Sequence, residues 1–112
     1  MFTRIEEATP EDFDQRVLEA RDELVLVYFW GNDCPNCEVF AADMQRVLAP
    51  FEDAKLRVVK VDAYAHEVLA RRFGLYGIPN FFLFRDGKRL GKMSQYYGRA
   101  YFQSVLREHL PA

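Results

Sequence analysis

An unbroken apolar run from Leu24 to Trp30 constrains the fold of this chain more than any other feature. The run is rich in strand-forming side chains and shows no polar alternation, which is typical of a β-strand buried on both faces. Such a strand lies inside a parallel sheet, and helices must cover each side of that sheet. We therefore expect an α/β domain.

Helical and strand patterns alternate along the rest of the chain. Thr9, Pro10 and Asp12 have the types and spacing of a helix start with a capping box, and Asp86-Gly87 predicts the turn of a β-hairpin. The predicted elements are strands near 2–5, 24–30, 56–61, 81–84 and 89–93, and helices from Thr9, from Pro35 to about Pro50, over 65–73 and over 99–109. Since 112 residues without a linker or repeat suit one core, we expect a single domain over 1–112.

The charge balance narrows the classes of partner. The net charge is -2, and the chain lacks the basic patch that nucleic-acid binding needs. No apolar run is long enough to cross a bilayer, and the first residues lack the apolar core of a signal peptide. We expect a cytoplasmic protein that binds neither nucleic acid nor membrane.

The chain has two cysteines, Cys34 and Cys37. A disulfide between them closes a very small loop, so it is a poor structural crosslink. In a reducing cytoplasm such a close pair is more often redox-active or metal-binding. The spacing of the two cysteines alone leaves redox chemistry, half of a zinc site and a chance pair open. A structural zinc site needs four ligands, and His66 and His109 stand at no recognisable spacing, so we predict no metal.

The position of Cys34 favours redox chemistry. This residue falls where the buried strand gives way to the first turn of a helix, whose free N–H groups and dipole stabilise an anion. The thiolate is the nucleophile of disulfide exchange. We expect Cys34 to attack a partner disulfide, and Cys37, one turn later, to resolve the mixed disulfide that results.

The segment from Trp30 to Cys37 (Trp-Gly-Asn-Asp-Cys-Pro-Asn-Cys) resembles the active-site segment of the thioredoxin family. Gly77-Ile78-Pro79 resembles the loop that carries the family's cis-proline, and the turn at 85–88 and Gly98 also match in position. The resemblance covers nearly the whole chain. It implies the thioredoxin fold, a three-layer α/β/α sandwich around a central mixed sheet of four to five strands.

The same resemblance implies the site and its partners. Cys34 and Cys37 are the implied redox-active disulfide, with no other cofactor. The implied residues of the substrate groove are Trp30, Ile78, Pro79 and Gly98. A cis bond before Pro79 exposes the backbone of Ile78 to a substrate strand. Proteins with disulfides and a thioredoxin-type reductase are the implied partners, and the implied state is a monomer.

The residues around the cysteines depart from the family pattern. Pro35-Asn36 stands where thioredoxins have Gly-Pro, and Asp33 replaces a tryptophan, so a negative charge beside the nucleophile disfavours its thiolate. Tyr28 stands where thioredoxins carry a buried aspartate, while Lys60, the partner of that aspartate, remains. Either Lys60 promotes deprotonation of Cys37, or Tyr28 is core packing and Lys60 extends to solvent.

Together these features predict a thiol–disulfide oxidoreductase that reduces or exchanges protein disulfides through Cys34 and Cys37. The alternative is a thioredoxin-like binding module whose cysteine pair is idle, which Asp33 and the missing aspartate favour. Three tyrosines are expected either to form an aromatic rim for a partner or to pack at the edge: Tyr76, Tyr96 and Tyr97. A peroxide or thiol sensor is a third interpretation.

Overall fold

A computed structural model describes the whole chain, from Met1 to Ala112. The strands are β1 (Ile5–Glu7), β2 (Leu24–Trp30), β3 (Leu56–Asp62), β4 (Asn80–Arg85) and β5 (Lys88–Met93). The helices are α1 (Phe13–Val17), α2 (Pro35–Leu48), α3 (Glu67–Arg72) and α4 (Arg99–His109), and a 3-10 turn at Ala49–Phe51 extends α2. No helix combines the length and the apolar character that crossing a membrane requires.

The five strands form one mixed sheet in the order β1-β3-β2-β4-β5. β3 pairs in parallel with both β1 and β2, and β4 runs antiparallel to both β2 and β5. The central place of β2 explains its uninterrupted apolar sequence. The mixed sheet with helices confirms the predicted α/β class and the thioredoxin fold.

The sheet separates two hydrophobic cores. Leu24, Leu26 and Tyr28 of β2 belong to the cluster under α2 and α4. The alternate residues Val25, Val27 and Phe29 belong to the cluster under α1 and α3. Because both faces of β2 are covered, every side chain from Leu24 to Phe29 is buried. The result is three layers, with a pair of helices on each face of the sheet.

Two helices begin later than their sequence patterns predict. The first helix begins at Phe13 rather than at Thr9, and residues 10–12 form a turn that leads into it. The predicted capping-box bond is nevertheless present, since the Asp12 carboxylate accepts the Thr9 N–H over 2.8 Å. α3 begins at Glu67 rather than at residue 65, since the Asp62 carboxylate accepts the N–H groups of the next turn, over 3.0 and 3.1 Å. Such local bonds compete with helical ones.

The two edges of the sheet differ in character. β1 spans Ile5–Glu7 and not the predicted 2–5, because Phe2 leaves the sheet and is buried in the core under α2. The N–H of Phe2 donates to the side-chain oxygen of Gln45 over 3.1 Å. β5 forms the other edge, where Lys88, Arg89 and Lys92 are exposed.

Candidate active site

The cysteine pair lies at the junction of β2 and α2. After Trp30 the chain makes a short turn, in which Asp33 adopts a left-handed φ of 55°, and α2 then begins at Pro35. Proline suits this first helical position, because an N–H there has no acceptor within the helix. Cys34 is therefore the N-terminal cap of α2.

Cys34 and Cys37 form a disulfide, with their Cα atoms 5.2 Å apart. The backbone N–H of Cys37 donates to Cys34 Sγ over 3.1 Å, so a free donor of the first helical turn points at this sulfur. Cys34 is 8% exposed and Cys37 is 4% exposed. After reduction, the same N–H and the helix dipole favour negative charge on Cys34 Sγ.

The loop that precedes β4 faces the disulfide. Its Ile78–Pro79 peptide bond is cis, and the carbonyl oxygen of Ile78 lies 3.6 Å from Cys34 Sγ. Gly31 lets the two loops approach, since a Cβ there would lie only 2.7 Å from Ile78 Cδ1 and 2.6 Å from the ring of Tyr64. The structure thus brings Cys34, Ile78 and Pro79 together.

One flank of the disulfide is a charged cavity of about 270 Å³. Its lining includes Cys37, Trp30 and three charged residues, Asp33, Glu38 and Lys60. The Lys60 ammonium lies 5.0 Å from the centre of the Trp30 ring. It also lies 4.0 Å from a carboxylate oxygen of Glu7. Lys60 therefore lines the same cavity as Cys37, and its ammonium group also lies near the exposed carboxylate of Glu7.

Tyr28 lines the same cavity from its buried side. Its hydroxyl donates to the carbonyl oxygen of Cys37 over 3.4 Å, and its ring stacks on Phe81 with centroids 5.2 Å apart. Burial raises the pKa of Tyr28 to about 12. A neutral phenol does not accept the proton of Cys37, so Tyr28 contributes packing and one hydrogen bond.

The other flank is a polar cleft of about 300 Å³ beside the cis-proline loop. Five residues singled out from sequence line this cleft: Asn36, Tyr76, Gly77, Ile78 and Pro79. Sequence reasoning missed four other residues that line this cleft: Asn80, Lys92, Ser94 and Gln95. The sequence contained one indication of this cleft, since Asn80 is a polar residue at the start of a strand whose next four residues are apolar.

Gly98 caps the N-terminus of α4, with φ 100°. It lines neither flank of the disulfide; the residues of this segment that line the polar cleft are Ser94 and Gln95, four and three positions before it. The positive φ is a conformation that favours glycine. Gly98 therefore shapes the turn into α4.

The three tyrosines have different environments. Tyr96 is half-buried and packs on Phe40 with ring centroids 5.0 Å apart. Its hydroxyl group donates a hydrogen bond to the Asp43 carboxylate. Tyr97 is exposed and contacts Tyr101 edge to face. Tyr76 is fully exposed and borders the polar cleft. Of the three, Tyr76 lies beside the site.

Comparison with known proteins agrees with this geometry. The thioredoxin family model matches residues 4–108. A thioredoxin of Griffithsia pacifica is 27% identical over 106 residues, covering 95% of both chains. Thioredoxin 1 of Nostoc sp. is 28% identical over 104 residues, which are 93% of this chain and 95% of that protein.

A third relative is longer than this chain. Thioredoxin X, chloroplastic, of Arabidopsis thaliana is 36% identical over 86 residues, which are 77% of this chain and 46% of that protein. The match thus spans less than half of that relative. The family match, by contrast, runs through the cysteine turn, the Ile78–Pro79 loop and every strand. This chain therefore belongs to the thioredoxin family.

Proposed function

We propose that this protein is a thiol–disulfide oxidoreductase that reduces or exchanges the disulfides of other proteins. The observation that supports the proposal best is the Cys34–Cys37 disulfide at the N-terminus of α2, with Cys34 Sγ 3.6 Å from the carbonyl oxygen of Ile78. The pair itself is the redox centre, and the proposal requires no metal or organic cofactor. It places the reaction in a reducing cytoplasm.

The reaction has two exchange steps. The Cys34 thiolate attacks one sulfur of the substrate disulfide, which forms a mixed disulfide and expels the other substrate sulfur as a thiolate that takes up a proton. Cys37 then loses its proton and attacks Cys34 Sγ, which restores the Cys34–Cys37 bond and releases the second substrate thiol. Two electrons pass to the substrate, and a thioredoxin-type reductase is the proposed source of the next pair.

The surfaces around Cys34 suit an extended polypeptide. Trp30 on one flank and Ile78 on the other are half-buried, so each keeps apolar surface for contact. Backbone hydrogen bonds along the loop at Ile78 would hold substrates of varied sequence. This arrangement favours protein disulfides over a single small molecule.

Two serine variants test the proposal. The reduced wild-type protein is expected to reduce a disulfide-containing model protein. The Cys37→Ser variant is expected to accumulate a mixed disulfide, since the resolving thiol is gone. Cys34→Ser is the matched control and forms no such adduct. Absence of turnover by the wild type, together with absence of an adduct on Cys37→Ser, would contradict the proposal.

A binding module with an idle cysteine pair is the second candidate. It is favoured by the neutral Tyr28 behind Cys37 and by the exposed rings of Tyr76 and Tyr97. The Cys34→Ser/Cys37→Ser double variant separates the two functions. A module without redox chemistry binds its partner equally well with or without the cysteines, whereas the oxidoreductase loses its covalent intermediate.

A further inference from the structure

The outer edge of the sheet, at β5, carries a row of positive charge. Lys88, Arg89 and Lys92 are all exposed, and none of the three belongs to an ion pair within the chain. The only acidic residue of the β4–β5 hairpin is Asp86, whose carboxylate accepts the backbone N–H of Asp22 over 2.9 Å. Since the whole chain has a net charge of -2, this edge concentrates positive charge on a protein that is acidic elsewhere.

Two of these charges are held against the sheet. Arg89 and Lys92 both lie over the ring of Phe82, which is buried in the core. A side chain that is already ordered loses less conformational freedom on binding than one that rotates freely. The edge is therefore partly organised for a partner of opposite charge.

The row of charge leads to the cysteine pair. Lys92 is the last residue but one of β5 and lines the polar cleft beside the cis-proline loop. Asn36, between the two cysteines, lines the same cleft. Lys88 lies at the hairpin turn, about 14 Å farther along the strand. A polypeptide that meets Cys34 and extends through the cleft therefore reaches this edge.

The opposite flank of the disulfide has the other sign. The cavity beside Cys37 is lined by the carboxylates of Asp33 and Glu38 and by one cation, Lys60. The Lys60 ammonium lies 4.0 Å from a carboxylate oxygen of Glu7, so its charge is partly offset. An acidic polypeptide is thus repelled on this flank and attracted on the β5 flank.

The backbone of β5 suits an extended partner. β5 is the last strand of the sheet and pairs only with β4, so the backbone groups on its outer side have no partner in the sheet. An extended segment can add to such an edge through main-chain hydrogen bonds, while its acidic side chains meet the cations. DNA would offer acceptors to the cations but no backbone donors to the carbonyl groups of the strand. The edge therefore fits a polypeptide better than DNA.

We propose that the edge formed by Lys88, Arg89 and Lys92 docks an acidic, extended segment of the substrate protein whose disulfide Cys34 attacks. The inference rests on the proposed function and adds a substrate class to it. Opposite charges on the two proteins raise the rate of association. The bonds exchanged between the sulfurs are unchanged, because the edge holds only a remote part of the substrate.

The test uses peptide disulfides with a tail long enough to span from the cleft to the hairpin turn. The tail alternates valine with glutamate, lysine or glutamine, and it stands either before or after the cysteine. The rate of mixed-disulfide formation with the Cys37→Ser variant is divided by the rate of the same peptide with dithiothreitol, which removes differences in intrinsic reactivity.

At an ionic strength of about 0.1 M, where charges are screened over about 10 Å, the glutamate tail is expected to react about fivefold faster than the glutamine tail. The acceleration is expected for only one of the two placements, since β5 lies on one flank of the disulfide. At about 1 M, where the screening length is about 3 Å, the two rates are expected to agree within about twofold. The lysine tail is expected to be the slowest.

A double variant assigns the preference to the edge. On the Cys37→Ser background, Lys88→Gln/Arg89→Gln is expected to bring the glutamate-to-glutamine ratio below about twofold, because two of the three charges are gone. Lys55→Gln/Arg107→Gln is the matched control, which removes the same two charges from exposed positions outside β5 and outside the cleft. This control is expected to keep the wild-type ratio.

Equal rates with glutamate and glutamine tails, or a ratio that Lys88→Gln/Arg89→Gln leaves unchanged, would overturn the docking surface and leave the oxidoreductase in place. Equal acceleration from both placements would indicate general charge attraction and would also overturn it. Stronger competition by a DNA oligonucleotide than by the free glutamate peptide would assign the edge to nucleic acid instead. Failure of every peptide to react, the glutamine reference included, would contradict the proposed function, and the docking surface with it.

Discussion

A hydrogen-bonded cluster around Asp43 anchors the segment that follows β5 to helix α2. The Tyr96 hydroxyl donates to Asp43 Oδ2, and Arg99 Nη2 donates to Asp43 Oδ1 over 2.8 Å. The Asp43 side chain is 19% exposed and that of Arg99 is 50% exposed. The two bonds therefore differ in solvent screening, and the bond from Tyr96 is the better protected.

The perturbation is a double-mutant cycle of Tyr96→Phe and Asp43→Ala. A hydrogen bond to a charged acceptor contributes about 1.5–3 kcal/mol, whereas the ion pair with the exposed Arg99 is screened by solvent and contributes less. Tyr96→Phe is expected to lower the free energy of unfolding by about 1.5–2 kcal/mol. Asp43→Ala is expected to lower the free energy of unfolding by about 2 kcal/mol. This figure already includes a gain of about 0.5 kcal/mol, because alanine has a higher helix propensity than aspartate.

The coupling energy between the two sites is expected to be about 1.5 kcal/mol near neutral pH, measured by urea unfolding of the four proteins. The bond from Tyr96, and then the bond from Arg99, hold the pKa of Asp43 below its usual 3.8. Because this folded-state pKa is lowered, the stabilisation is complete above the usual pKa and is lost as the pH falls through the lowered value. The coupling must therefore shrink in acid.

Two results would refute this reasoning. One is a coupling energy under about 0.3 kcal/mol near neutral pH, the level expected of independent sites. The other is a coupling energy that does not fall between about pH 5 and pH 2. Tyr101→Phe is the matched control, because this exposed tyrosine is expected to change stability by less than about 0.5 kcal/mol.

Two further predictions concern the cavity behind Cys37. Lys60→Met is expected to slow resolution of the mixed disulfide about three- to tenfold in stopped-flow measurements. The reason is the loss of about 1 kcal/mol of electrostatic attraction between the Lys60 ammonium and the Cys37 thiolate. An unchanged rate would count against a role for Lys60. Tyr28→Phe is expected to keep the wild-type dependence of the exchange rate on pH between about pH 6 and pH 10, because the pKa of Tyr28 is about 12. An inflection present in the wild type and absent from Tyr28→Phe would show instead that the phenol takes part in proton transfer.

Elements with strong patterns could be predicted from the sequence. β2 and α4 have the predicted bounds, Leu24–Trp30 and Arg99–His109, because continuous burial and helical spacing dominate there. The start of α3 differs from the prediction because the Asp62 carboxylate competes for the backbone N–H groups of the preceding turn. Phe2 was assigned to a strand, but burial in the core outweighs its strand propensity.

Only the part of the candidate site that is formed by neighbouring residues, the turn at Cys34, could be predicted from the sequence pattern. The placement of Cys34 at a helix start follows from the order of a strand, a turn and Pro35 along the chain. The approach of Ile78 to Cys34 depends on loops 44 residues apart, and it was anticipated by family resemblance alone. The cleft at Asn80 was not anticipated, because it depends on where β4 and β5 separate, which no local pattern encodes.

The cationic edge of β5 has a consequence for how the protein behaves at high concentration. Arg89 and Lys92 lie over the ring of Phe82, 4.5 and 5.7 Å from its centre, so these two positive charges are held close to the sheet. A second copy that approached strand to strand would set like charges against one another. Exposed edges are the usual starting points of intermolecular β-pairing and aggregation, and lysines on an edge oppose both. The open side of this sheet is thus protected from fibre-like association by its own charge.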